Sequence, residues 1–340
     1  MTVGTPFALD ILYIRPGGSG WGPVSDLVSL TSRVFGACVI EVDDQGEVSY
    51  ARKASALLPR RRRRANRGLL VVAANPAAAA YLARPRLWFN GYDSVACWII
   101  DSFWTDRTPR VLRSRPHVDQ LFITDPELVD EWTILTGLPT ACLPWGADTL
   151  RFPSVSHRPV DLLRLGRQPA AWDDDAATAT DATHHGLVFR GRPPMSADPA
   201  MNQEAVRVAL LDSKLVLAFS NLVSPAAYTH PTRDYLTGRW MDALAAGCTV
   251  VGAAPASASV LLWDGATVEI DPTSRDASWA TLREAVAKQT PERARMTQQR
   301  ARQLLDWRWR LRDLSQHMGW PMPPRLAEEL IAVSASTDPE

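Results

Sequence analysis

The chain has 340 residues, with 37 Lys+Arg against 37 Asp+Glu and a formal net charge of zero at pH 7. That balance argues against a dedicated nucleic-acid binder, and a hydrophobic share of 46% argues against a disordered chain. No apolar run reaches the ~18–20 residues of a membrane span and Met1–Asp10 carries no basic-then-apolar leader, so a cytoplasmic protein of two domains is expected.

In chain order, the residues Asp10–Ile14 read as a strand ending in a glycine turn, Pro16 to Gly22. A helical pattern follows through Val24, Leu27, Val28, Leu30 and Val34. Further strands are expected at 37–42, 69–74, 95–100, 120–124 and 140–143, with an Ala-rich helix through Tyr81 and another over 126–137. Short apolar strands between helices predict a parallel sheet covered on both faces. The stretch 145–159 is rich in polar and turn residues, with a linker expected near residues 150–158. A second alternation follows: strands at 160–165, 186–190, 215–219 and 249–252, an amphipathic segment 201–213, a helix 240–246, and mostly helix over 279–312. Residues 170–183 are polar and rich in Asp, Thr and Ala. The fold class is therefore α/β, with two Rossmann-like domains facing each other across a cleft. The expected boundaries are 1–153, 154–325 and a tail over 326–340.

Four cysteines, Cys38, Cys97, Cys142 and Cys248, lie in apolar stretches without metal-ligand spacing and are expected to be buried, reduced thiols. Only Lys53, Lys214 and Lys288 are lysines, so each arginine is weighed by position. Of the 13 tryptophans, some are expected in the core and several in loops where they line a pocket.

The segment His230 to Gly252 reads as loop, helix start, short helix, glycine stop and buried strand. Thr237 and Gly238 near the helix start offer unpaired backbone N–H groups to a phosphate, and Arg239 adds a fork of donors. Asp242, three positions on, shares that face and suits vicinal hydroxyls, while Asp234 in the preceding loop suits a sugar. An ordinary amphipathic helix with solvated charges is the competing reading. Gly17, Gly18, Ser19 and Gly20 follow the first strand and serve either close backbone approach to a sugar or acceptor, or a simple turn. Asp101 follows the fourth strand of the first half and suits either deprotonation of an acceptor hydroxyl or a helix cap. Asp173, Asp174 and Asp175 invite a metal reading, but their surroundings favour a solvated loop or helix start. Arg60–Arg64, with Arg67, form the sharpest charge run, read as a solvated loop, with nucleic acid, an acidic acceptor or peripheral contact with an anionic membrane surface as the alternatives.

The Asp234 to Gly247 segment resembles the nucleotide-sugar site of GT-B fold glycosyltransferases, especially the retaining family-four group. Their pattern is an acid, seven residues, a second acid, then small residues and Gly before a strand. Here Asp stands at both acidic positions in place of the usual Glu. The resemblance implies Asp242 on the donor ribose, Asp234 on the transferred sugar, and Thr237, Gly238 and Arg239 on the diphosphate. Leu143 to Phe152 resembles the end of the first GT-B domain. Gly166-Arg167 resembles the Gly-Arg that meets the diphosphate. The lysine usual a few residues later is missing, so Arg190 or Arg192 is expected to compensate. Asp306 to Arg310 resembles the C-terminal helix that packs back on the first domain.

The resulting expectation is a bacterial, cytoplasmic glycosyltransferase acting on a nucleoside-diphosphate sugar and an acceptor hydroxyl or amine. Retention, no metal and no cofactor are expected, with Asp101, Asp234 and Arg167 as catalytic residues. The alternatives are a nucleotide-sugar epimerase or hydrolase on the same fold, and a non-catalytic sugar- or nucleic-acid-binding protein.

Overall fold

A computed structural model of the chain describes residues 6–17, 21–44, 47–62, 66–114, 117–196 and 198–335. The first sheet-forming half runs β1 (Ala8–Pro16), α1 (Gly22–Phe35), β2 (Cys38–Asp44), α2 (Tyr50–Ser55), β3 (Arg67–Ala73), α3 (Pro76–Leu82), α4 (Arg84–Phe89), β4 (Ser94–Ile99), α5 (Val111–Ser114), β5 (Gln120–Ile123), α6 (Val129–Thr136) and β6 (Thr140–Cys142). The second runs β7 (Val160–Arg164), α7 (Asp175–His184), β8 (Phe189–Arg190), α8 (Pro199–Leu211), β9 (Ser213–Leu217), α9 (Gly238–Ala245), β10 (Thr249–Gly252), α10 (Ala258–Leu261), β11 (Thr267–Glu269), α11 (Trp279–Lys288), α12 (Pro291–Leu305), α13 (Trp307–Met318) and α14 (Pro324–Ala335).

Two parallel sheets result, ordered β2-β1-β3-β4-β5-β6 and β11-β10-β9-β7-β8. The α/β class with two Rossmann-like folds is thus the one observed. Each sheet starts from its first strand, sets the second on one side and the third on the other. Strand order therefore reverses between β1 and β3, and again between β7 and β9, and open α/β sheets bind ligands beyond the carboxyl ends of such strands.

Strands β1, β3 and β4 are nearly continuously apolar because helices cover both faces. Leu12, Ile14, Leu69, Val71, Cys97, Ile99 and Trp132 build the first core; Leu162, Trp172, Leu215, Leu217, Phe219, Val251 and Trp279 build the second. Six tryptophans, Trp98, Trp132, Trp172, Trp240, Trp279 and Trp307, are among the most deeply buried side chains. These are the tryptophans of the expected core. Cys97 and Cys248 are buried as expected, whereas Cys38 on the edge strand β2 is exposed.

The chain divides into two compact units. The first comprises residues 1–21, 25–144 and 308–329; the second comprises 22–24, 145–307 and 330–340. In the first unit Trp320 lies 5.7 Å from Phe7, ring centre to ring centre, and its indole N–H donates to Ser94 Oγ at 2.8 Å.

Several local readings change. The polar stretch 170–183 contains α7, because Asp174 caps it by accepting from Ala176 N and Ala177 N. The helical run from 279 is broken where Thr290 caps a fresh start with Pro291 in its first turn, and again at Asp306. Residues 326–335, expected as a tail, belong to α14, since Leu326, Leu330 and Val333 recur on one helical face and are buried.

Candidate functional site

The carboxyl ends of β7 and β9 are neighbours, with Arg164 opposite Leu217 in register. The turn after β7 contains Gly166 at φ +81°, a left-handed conformation that glycine adopts freely. Arg239 enters from the first turn of α9 and donates through Nη2 to Phe219 O at 2.5 Å, just past β9. A Cβ on Gly166 would stand 2.2 Å from Arg239 Nη1, so the glycine makes room for the guanidinium. Arg239 Nε is buried without a hydrogen-bond partner. Burial first, then repulsion from Arg167, pushes the Arg239 pKa down to about 10, which leaves it cationic at neutral pH.

Arg167 donates through Nε to Ser224 O at 3.1 Å, and its guanidinium lies 4.8 Å from the centre of the Tyr228 ring. Among the described residues, neither Arg167 nor Arg239 has a carboxylate within ion-pair distance. Arg192 donates to Gly166 O at 3.4 Å, which brings a third cation to the same turn. Thr237 is the extended residue before α9 and makes no side-chain cap, so the first-turn N–H groups at Gly238 and Arg239 gain no side-chain acceptor from it. Asp242 is buried on the same helix and accepts from Gln203 Nε2 at 3.0 Å.

Two expected site residues take other positions. Asp234 accepts from the Ser220 hydroxyl and from the backbone N–H groups of Tyr235, Leu222 and Asn221. Burial raises its pKa, and those bonds work against the rise. Its carboxylate therefore ties down the loop after β9, which satisfies its lone pairs within the protein. Arg190 pairs with Asp212 at 2.9 Å, beside the amino-terminal end of β9, and so points away from the cluster at the carboxyl ends. Arg192 is the arginine that reaches Gly166. The Asp173–Asp175 run is likewise structural: Asp173 and Asp175 pair with the buried Arg164, and Asp174 is the cap of α7. No group of three or more His, Cys, Asp or Glu suited to a metal occurs among the described residues.

In the first unit Asp101 follows β4, and its N–H donates to Ala74 O at 2.8 Å, just past β3. The turn is fixed by Ser102 Oγ to Thr124 Oγ1 at 3.1 Å and by the Trp132 indole donating to Ser102 O at 2.8 Å. The Asp101 side chain caps no helix; burial raises its carboxyl to about 7. Gly17 is exposed just past β1, while Gly18, Ser19 and Gly20 lie outside the described residues.

The Arg60–Arg64 run divides. The Arg60 side chain is only 6% exposed and pairs with Asp119 at 2.8 Å, which overturns the solvated-loop reading for that residue. Arg62 also pairs with Asp119, at 3.0 Å, and Arg63 and Arg64 lie outside the described residues.

The sequence reading missed Ser220, Asn221, Gln203 and Tyr228. Ser220 and Asn221 were signalled, because they directly follow an apolar strand, and open α/β sheets bind ligands beyond the carboxyl ends of their strands. Gln203 and Tyr228 carry no local signal, since their partners are 39 and 61 residues away.

No family model matches the chain, and no curated protein matches it by sequence. Among solved structures it is similar to AviGT4, a glycosyltransferase involved in avilamycin A biosynthesis, at 13% identity and a TM-score of 0.50, over 92% of this chain and 97% of that one. A UDP-glucosyltransferase from Polygonum tinctorium matches at 9% identity and a TM-score of 0.43, over 99% and 100%. An alpha1,3-fucosyltransferase matches at 12% identity and a TM-score of 0.35, over 85% and 82%. The likeness to AviGT4 is one of fold, and it agrees with the pair of Rossmann-like folds of the GT-B class.

Proposed function

We propose that the protein is a glycosyltransferase that moves a sugar from a nucleoside diphosphate to an acceptor hydroxyl or amine. The observation that carries this reading is the pair Arg167 and Arg239, two guanidinium groups without carboxylate partners beside the Gly166 turn and the start of α9. Half-buried like charges of this kind call for an anion, and a diphosphate supplies it. The fold shared with AviGT4 supports the same reading.

In this reading Arg167, Arg192 and Arg239 hold the donor diphosphate, together with the N–H groups at Gly238 and Arg239. As the bond from sugar to phosphate breaks, negative charge grows on the departing diphosphate, and these fixed donors stabilise it. Arginine supplies the charge for this step, so chelators are expected to leave transfer intact. Asp242 takes the ribose hydroxyls once Gln203 shares or yields its carboxylate. Asp234 acts as a positioning residue that shapes the 220–222 turn. Asp101 in the first unit, with a carboxyl titrating near neutrality, removes the acceptor proton. Retention of configuration follows from the family-four resemblance of the Asp234–Asp242 segment.

The test is a thermal-shift and calorimetric screen of nucleoside diphosphates and their sugars against the full chain and Arg239→Gln. One diphosphate is expected to raise Tm, and the variant to bind it at least about tenfold more weakly. A donor labelled in the sugar should then pass its label to an acceptor. Label appearing in free sugar, or staying on an isomerised nucleotide sugar, would favour a hydrolase or an epimerase. No binding of any diphosphate would overturn the reading.

A further inference from the structure

The first unit carries a surface that the donor site does not explain. Helix α2 buries none of its side chains, which is unusual for an element of a folded domain. The chain then turns through Leu57 and Leu58, exposed by 59% and 42%. At the end of α4, Trp88 and Phe89 are exposed by 38% and 63% and pack edge to face with ring centres 4.6 Å apart.

These residues share one surface. Arg84 Nε, at the start of α4, donates to Ser55 O at 3.3 Å. Arg60 Nη2 donates to Tyr92 O at 3.2 Å and to Asp93 O at 3.0 Å, just past α4. Residues 55–60 therefore run alongside residues 84–93, and Leu57 and Leu58 lie between the two anchor points. Helix α4 advances only about 7.5 Å from Arg84 to Phe89, so the stretch with the leucines and the helix end with the ring pair lie in the same region of the first unit.

The charge on this surface is one-sided. Arg52, Lys53, Arg61 and Arg86 are exposed around it. The sequence has no acidic residue over 50–62 or 84–92. The acids behind it are engaged: Asp119 by Arg60 and Arg62, and Asp93 by the Arg67 N–H. Aliphatic and ring side chains bordered by unopposed cations match the boundary of a lipid bilayer, where indoles sit at headgroup depth and cations meet phosphate.

We propose that the surface formed by α2, Leu57, Leu58 and the end of α4 docks on an anionic lipid bilayer. The groups that touch lipid are the leucines, the Trp88–Phe89 pair and the cations Arg52, Lys53, Arg61 and Arg86. Arg60 is a strut behind them, fastened to Asp119 and to three backbone carbonyls.

The test is co-sedimentation of the full chain with phosphatidylcholine vesicles and with vesicles containing phosphatidylglycerol. Binding is expected only to the anionic vesicles and should weaken as salt is raised. Trp88→Ala with Phe89→Ala, and separately Arg52→Glu with Lys53→Glu, should each weaken binding at least about tenfold, with Tm unchanged. Leu57→Ser with Leu58→Ser gives an independent pair should the ring variant lose stability. Arg295→Glu with Arg300→Glu, on α12 of the second unit, should leave binding as it was. Equal binding to neutral vesicles, or binding unaffected by all three surface variants, overturns the proposal. So does absence of vesicle binding in a chain that binds RNA through the same residues.

Discussion

At the scale of single residues, the proposed chemistry rests on groups that have no oppositely charged partner at ion-pair distance among the described residues. Asp101 is held past the end of β4, and burial raises its carboxyl from 3.8 to about 7. Between those values the folded chain keeps a proton that the unfolded chain has lost, so this group makes stability fall as pH rises from about 4 to about 7 and has no further effect above. Asp101→Asn is expected to flatten that part of the denaturation profile. It should also lower kcat by roughly 10²-fold or more and remove the rise of rate through neutrality. A variant with wild-type kcat and the same rising limb would exclude Asp101 as the base. The sequence placed Asp101, Arg167, Arg239 and Asp242 correctly at strand ends or a helix start, because those positions follow from local pattern. The partners of Asp234 and Arg190, the Ser220–Leu222 turn and Asp212, were not legible, because only folding brings them together.

At the scale of elements, buried strands were legible and short helices were not. Strands such as β3 announce themselves by an unbroken apolar run, whereas α2 and α4 have six residues each and too few turns to show a period. Helix α14 was missed although its burial has a clear basis. Its Glu329 accepts from Arg308 at 2.7 Å and Arg325 at 3.3 Å, and also from Arg33, all within the first unit. Burial alone would raise the Glu329 carboxyl, but the bonds from Arg308 and Arg33 outweigh it and the pKa falls. A lowered carboxylate pKa stabilises the fold above the unfolded value, and that contribution is lost as pH drops through the folded value. Arg308 is 1% exposed, so Glu329→Gln removes the negative charge that this buried guanidinium meets at 2.7 Å. The expected loss is about 3 kcal/mol near pH 7 by urea denaturation, shrinking in acid as the wild-type carboxyl takes up its proton. An equal loss at every pH would mean that charge is not the cause.

At the scale of the whole molecule, two sheets of the same strand order arise from one chain, and this order was beyond reach of sequence reading. Apolar runs tell where strands are but not which neighbours they take, and Gly166 and Arg239 meet although 73 positions separate them. If the donor sits where these two meet, a bound nucleoside diphosphate should slow amide exchange at 165–167, 219–224 and 237–242. Exchange in β3 and β4 of the first unit should stay as it was. Slowing confined to the first unit would place the nucleotide elsewhere. The first unit also needs residues 308–329 for completion, which supply Arg308 to Glu329 and set Trp320 against Phe7 and Ser94. A ribosome adding about 5–20 residues per second finishes β6 roughly nine to thirty-six seconds before it reaches that tryptophan. Throughout this interval Phe7 and Ser94 of the nascent first unit wait for the ring that packs on one and donates to the other.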